Sequence, residues 1–172
     1  MLITALKTGL RLGELLALKW EDIGLVAGRL MVRRSLWQQQ EGAPKSGRIR
    51  EVPLSERAVA TLVRHRHLRG PYVFCNEDGA RLSHSGVKDI VPKACRRVGL
   101  AKRLTWHDLR HTFASHLVMR GRSLKEVQEL LGHATMDMTM RYAHLSPEVK
   151  RDAVAVLDEP APAWGTNGAQ SC

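Results

Sequence analysis

Residues 105–145 constrain the fold more than any other stretch, because they carry start and stop signals for successive helices. Ser123 and Glu126 have the spacing of a capping box, in which each side chain satisfies a backbone N–H at a helix start. Leu124, Val127, Leu130 and Leu131 then share one face, and Gly132 follows as the left-handed stop that helix ends favour. His133 is therefore expected just beyond a helix terminus. Upstream, Trp106 to Arg120 reads as a helix ending near Gly121. Downstream, a helix from about Met136 should carry or approach Tyr142, and Ser146-Pro147 should open a last one with proline in its first position. Val149, Ala153, Val156 and Leu157 keep helical spacing there. The Met136, Met138, Met140 run is read as ordinary packing.

The N-terminal half mixes patterns. Residues 2–18 have apolar positions at helical spacing, interrupted at Thr8-Gly9, which predicts two helical pieces around a turn. Residues 29–36 and 48–54 alternate as strands, and Pro53 confines the second to a sheet edge or its own end. The polar connection from Gln38 to Gly47 is long enough to be mobile. Ser55 can cap a helix to about Leu68, and Ser83 or Ser85 can open another to about Val98. Tyr72-Val73-Phe74 is a short strand candidate, with Tyr72 assigned to the core. Pro, Ala and Gly dominate from Asp158 onward, so residues 158–172 are expected to form a disordered tail. The expectation is one α+β domain over residues 1–157, mostly α, with a small antiparallel sheet.

Charge narrows the partner. Lys and Arg number 27 against 17 Asp and Glu, a formal net charge of +10, and they cluster as in Arg33-Arg34, Arg64 to Arg69 and Arg96-Arg97. Such a surface attracts polyanions, nucleic acid first. An anionic membrane would call for a long basic amphipathic helix with bulky aromatics, and none is written here. The apolar N-terminus is broken by Lys7, Arg11 and Glu14, so it reads as neither a secretion signal nor a membrane span. Cys75, Cys95 and Cys172 are few and widely separated, which suits a reducing cytoplasm and makes no metal-ligand pattern. His107 and His111 have an i, i+4 spacing used for metals, but no His-Glu-x-x-His accompanies them; no metal and no cofactor are expected.

The run Trp106-His107-Asp108-Leu109-Arg110-His111-Thr112, then Leu131-Gly132-His133, then Arg141-Tyr142-Ala143-His144-Leu145 resembles the active-site signature of the tyrosine recombinases, the phage integrase family. Thr8-Gly9-Leu10-Arg11-Leu12-Gly13-Glu14 resembles that family's first arginine motif. Alone, each residue has a plainer reading: Arg11 or Lys45 as surface charge, His107 as a hydrogen-bonding helix residue, Tyr142 as a half-buried aromatic. Their joint occurrence in order sets those readings aside.

The resemblance implies a catalytic domain that cuts and rejoins DNA by transesterification. Opening a phosphodiester without metal or water requires a side-chain nucleophile, cations around the non-bridging oxygens and an acid for the departing oxygen. By resemblance Tyr142 is the nucleophile and forms a 3′-phosphotyrosyl ester. Arg11 and Arg110 are the phosphate clamps, suited by their planar forks. His107 assists proton transfer, His133 contacts the phosphate, and Lys45 is the β-hairpin acid for the leaving 5′-oxygen. Glu14 supports the Arg11 region through hydrogen bonds. Arg11 lies far from Arg110 in sequence, so the fold must bring them together.

The implied partner is double-stranded DNA, held by a homo-oligomer, a tetramer, with or without accessory DNA-bending proteins, in the cytoplasm of a prokaryote or phage host. Family members carry an N-terminal DNA-clamping domain that is not written here, so recombination by this chain alone is expected to be weak or absent. Two other functions are open: an inactive DNA-binding remnant, and a type IB topoisomerase-like enzyme with similar chemistry but no strand exchange.

Overall fold

Helix α1 (Leu2–Thr8) stops at Gly9, which takes φ +63 and returns its N–H to the Ala5 carbonyl. The computed structural model describes residues 1–44 and 47–146. Helix α2 (Leu12–Leu16) restarts at once, with the Glu14 carboxylate accepting the Arg11 backbone N–H at 2.8 Å. The two helical pieces read from residues 2–18 are thus present, and Gly9 is the turn between them. A Cβ at Gly9 would run into the Phe113 ring, so α1 packs directly on the helix that carries Phe113.

Strands β1 (Ile23–Gly24), β2 (Arg29–Val32), β3 (Ser35–Trp37), β4 (Gln40–Gly42) and β5 (Arg50–Pro53) follow. They form a three-stranded antiparallel sheet in the order β1-β2-β5 and a separate β3-β4 hairpin. Pro53 sits on an edge strand, where its missing N–H costs no ladder bond. The 29–36 run is not one strand, because the chain changes sheets after Val32. Part of the 38–47 connection is ordered too. Gln38 and Gln39 both take positive φ, 46° and 67°, which is the two-residue turn that matches strand twist. Neither is a residue that ordinarily signals such a turn.

Helix α3 (Glu56–His65) starts after Ser55, although the Ser55 hydroxyl makes no capping bond. Tyr72-Val73-Phe74 is not a strand: Tyr72 makes one isolated bridge with Lys19. Nor is Tyr72 core, since it is half-buried and its hydroxyl donates to Glu41 at 3.0 Å. The helix expected from Ser83 is broken into α4 (His84–Val87), which Ser83 caps, and α5 (Ile90–Arg97).

Helix α6 (Trp106–Met119) opens with a Thr105–Asp108 capping box, and α7 (Leu124–Leu131) with the Ser123–Glu126 box and a Gly132 stop at φ 64. Helix α8 (Asp137–Met140) is short, and Tyr142 follows it, just ahead of a 3-10 turn over Ala143–Leu145. Met136, Met138 and Met140 are exposed, which corrects their reading as packing residues. Residues 147–172, including the expected last helix and tail, lie outside the described residues.

The apolar residues form two cores, and α6 spans both. Trp106 and Leu109 enter the larger core with Leu10, Leu15, Leu16, Leu30, Val52 and Leu62. Ala114 and Val118 enter the smaller one with Val127, Leu131 and Tyr142. The seam between these cores crosses α6 at Arg110.

Gly9 fixes how α1 meets α6. Replacing it with alanine should cost about 2 kcal/mol or more, since the left-handed backbone alone costs about 1–2 kcal/mol and the Phe113 ring must also move. Urea denaturation checks this, and a loss under about 0.5 kcal/mol would mean that α1 and α6 do not meet as described.

Candidate active site

Three guanidinium groups converge on the C-terminal end of α7, where a helix leaves its last carbonyls without intrahelical partners. Arg50 donates from Nε to the Leu130 carbonyl at 3.0 Å. Arg110 donates from Nη2 to Leu131 at 2.7 Å, and Arg11 from Nη2 to Gly132 at 3.3 Å. Three successive carbonyls thus receive three arginines from β5, α6 and the start of α2. The negative end of the helix dipole favours that cationic cap. A Cβ at Gly132 would stand 2.9 Å from the Arg50 side chain, so glycine is needed for space as well as for φ.

Glu14 ties the cluster together. Its side chain is fully buried and takes two bonds from Arg50, at 2.9 and 2.8 Å, and one from Arg11 Nη1 at 3.1 Å. Burial acts to raise its pKa, but the Arg50 hydrogen bonds and charge, then those of Arg11, outweigh it and hold the carboxyl below its usual range. Arg110 differs. It is buried, its other bond runs from Nη1 to the Gly9 carbonyl at 2.6 Å, and no carboxylate among the described residues lies within ion-pair distance. Burial and then the Arg11 charge lower its pKa to about 9, which leaves it cationic at neutral pH.

A cleft of about 320 Å³ opens over this cluster, lined by Arg11, His107, Arg110, His133, Arg141 and Tyr142, with His111 beside them. His133 is aimed by its Nδ1 contact with the buried Thr139 hydroxyl at 2.8 Å. Burial, then the charge of Arg110 and Arg11, lowers its pKa to about 4, so at neutral pH it is an uncharged imidazole among arginines. Tyr142 is buried, and its hydroxyl shares a 2.5 Å hydrogen bond with His111 Nδ1. Burial raises the phenol's pKa above its ordinary value, while Arg110 and Arg141 pull it back in part. His107 and His111 pack edge to face with ring centroids 4.4 Å apart, and burial lowers the pKa of each. The cleft therefore offers permanent cations, neutral imidazoles and a protonated phenol. An entering anion would meet cations that the protein's own carboxylates only partly match.

Residues 1–148 match the model of the phage integrase family. The chain belongs to that family. It is 36% identical over 151 residues to tyrosine recombinase XerC of Pelobacter propionicus and 39% identical over 152 residues to XerC of Chromohalobacter salexigens, covering 85% and 84% of this chain but 47% of each relative. The chain thus spans about half the length of the curated relatives it matches. Among solved structures, the catalytic domain of bacteriophage HP1 integrase superposes with a TM-score of 0.66 at 28% identity, over 94% of this chain and 83% of that one. The Tn1549 transposon integrase, solved with a circular intermediate DNA, shares the fold with a TM-score of 0.76 at 20% identity, over 91% of this chain and 56% of that one.

This integrase-family fold brings together five of the residues expected from sequence: Arg11, His107, Arg110, His133 and Tyr142 line one cleft. Glu14 sits beneath it, bonded to Arg11 as expected. Lys45 lies outside the described residues. Two participants were not singled out from sequence. Arg50 is a member of a basic run, and nothing local marks it as the partner of a carboxylate 36 residues away. His111 was legible only as a neighbour of His107 one helical turn on.

Glu14→Ala leaves Arg50 in a buried place without its counter-charge and should cost about 3–5 kcal/mol in chemical denaturation. A loss below about 1 kcal/mol would deny the carboxylate its structural part. For His133 the sign runs the other way from a stabilising imidazolium. The unfolded imidazole takes a proton near its ordinary value of about 6.5 and the folded one only near 4, so stability falls as pH drops through that window. The His133 ring resonances in an NMR titration should move with a midpoint near 4, and a midpoint near 6.5 would contradict this packing.

Proposed function

We propose that residues 1–157 form the catalytic domain of a site-specific DNA recombinase, cutting and rejoining duplex DNA through a 3′-phosphotyrosyl intermediate. The observation that carries this reading is Arg110, a buried cation with no carboxylate at ion-pair distance among the described residues, in one cleft with Arg11, His133 and Tyr142. A scissile phosphate supplies the missing anion. Arg11 and Arg110 would hold its non-bridging oxygens, each having guanidinium N–H groups beyond those bonded to carbonyls and Glu14.

His133, neutral and aimed by Thr139, would donate a further hydrogen bond to the phosphate. His107, exposed at the first turn of α6, would assist proton transfer there. Tyr142 would attack phosphorus, and Lys45 would protonate the departing 5′-oxygen. The ester conserves the phosphodiester's bond energy, so a DNA hydroxyl can reverse the step without ATP. We read the working assembly as a homotetramer on duplex DNA, with or without accessory DNA-bending proteins, in the cytoplasm. Among the described residues no helix is long and apolar enough to cross a membrane.

The test is covalent capture on nicked duplexes of random sequence. A protein–DNA adduct should survive denaturing electrophoresis and vanish in Tyr142→Phe. Binding that weakens with salt but yields no adduct would instead favour a DNA-binding remnant. Relaxation of a plasmid without strand exchange would favour topoisomerase-like chemistry.

A further inference from the structure

The nucleophile needs a proton acceptor, and the structure supplies one that the recombinase reading does not use. Tyr142 is buried against Ala114, Val118, Val127 and Leu131, and its hydroxyl meets His111 Nδ1 at 2.5 Å. His111 is part-buried in the cleft wall, and among the described residues its ring makes no other hydrogen bond. The imidazole thus stands against the one oxygen that must lose a proton for Tyr142 to attack. His107, the histidine of the His-x-x-Arg motif, instead sits one turn nearer the helix start, exposed, with its ring against that of His111.

We infer that His111 is the general base for Tyr142: it holds the phenol in the resting site and takes its proton as the phosphotyrosyl bond forms. This rests on the recombinase reading above. In the forward step the Oη–H proton moves to His111 Nδ1 while Oη bonds to phosphorus. The bond from phosphorus to O5′ breaks, and its electron pair leaves on O5′, which the acid protonates. On rejoining, a DNA 5′-hydroxyl gives its proton to the deprotonated acid and attacks phosphorus, the bond from phosphorus to Oη breaks, and Oη takes its proton back from the His111 imidazolium.

The surroundings suit that cycle. The charged and titratable groups facing His111 are His107, Asp108 and Arg110 from α6, and Arg141 and Tyr142 from the turn after α8. Burial, then Arg141, keep the ring neutral before DNA arrives, with Asp108 opposing and Arg110 adding to Arg141. A neutral ring with its proton on Nε2 presents a free Nδ1 lone pair to the phenol. A bound phosphate offsets Arg110 and Arg141 and so makes the imidazolium easier to form in the step that needs it. Proton transfer to a phenol's partner is favourable only as phosphorus takes up the phenolate charge, so the two events belong to one step.

The experiment is single-turnover adduct formation by the full 172-residue chain on the pool of nicked random-sequence duplexes, comparing wild type, His111→Ala and His111→Asn. Asparagine keeps a polar group near the Nδ1 position but cannot act as a base, and circular dichroism establishes that each variant is folded. Both variants should be slowed about 100-fold or more, within the range for loss of a general base. Added imidazole should restore part of the rate to His111→Ala and none to Tyr142→Phe. Wild-type speed in His111→Asn, or no response of His111→Ala to imidazole, overturns the base role and leaves the recombinase reading standing. No adduct from wild type defeats that reading and the base role together. A second readout needs no DNA: in a Tyr72→Phe background Tyr142 is the only tyrosine, and His111→Ala should lower its ultraviolet titration midpoint. An unchanged midpoint would deny the contact itself.

Discussion

The C-terminus of α7 is the point on which the rest of the molecule is hung. A helix that ends inside a protein must find partners for its last carbonyls. Here the partners are three guanidinium groups delivered by three separate elements: Arg50 from β5, Arg110 from α6 and Arg11 from the start of α2. Gathering three cations costs Coulomb energy, and the buried Glu14 carboxylate offsets it by bonding two of them. Remove Glu14 and the cluster loses its only anion among the described residues. Remove the helix end and the cations lose their acceptors. The carbonyls hold one edge of each guanidinium, so Arg11 and Arg110 reach the cleft already oriented.

That arrangement sets the electrostatics of everything beside it. Arg110 lies at the seam of the two apolar cores, where water is scarce and its charge is poorly screened. Burial first, and then this field, keep His133 neutral, and the field works against the burial that holds Tyr142 protonated. A site built this way is strained toward binding an anion, and each neutral group in it becomes more useful once the anion is present. The fold thus stores part of the preorganisation that the proposed phosphoryl chemistry would require, because the donors need not be assembled at the moment of reaction.

The sequence was most legible where a local rule applies. The Ser123–Glu126 box and the Gly132 stop located α7 and put His133 at its end, and the Thr8-Gly9 interruption located the turn before Arg11. The ordered motifs named five of the residues that line the cleft. Legibility failed where non-local contacts decide. Gln38 and Gln39 form a tight turn without glycine, asparagine or aspartate, and so hid the β3-β4 hairpin. Tyr72 looked like core by its neighbours Val73 and Phe74, yet its hydroxyl turns outward to Glu41. Arg50 carries no local mark of its role, because the carboxylate that needs it is on another element. His111 became visible only when Tyr142 was placed against it.

The most direct measurement is the identity of the residue joined to DNA. After capture on nicked duplexes and nuclease trimming, trypsin should release the peptide covering residues 142–150, which begins at Tyr142 because Arg141 precedes it. Mass spectrometry should find the nucleotide remnant on Tyr142. A remnant on Tyr72 or on any serine, or adduct that persists in Tyr142→Phe, would contradict the account.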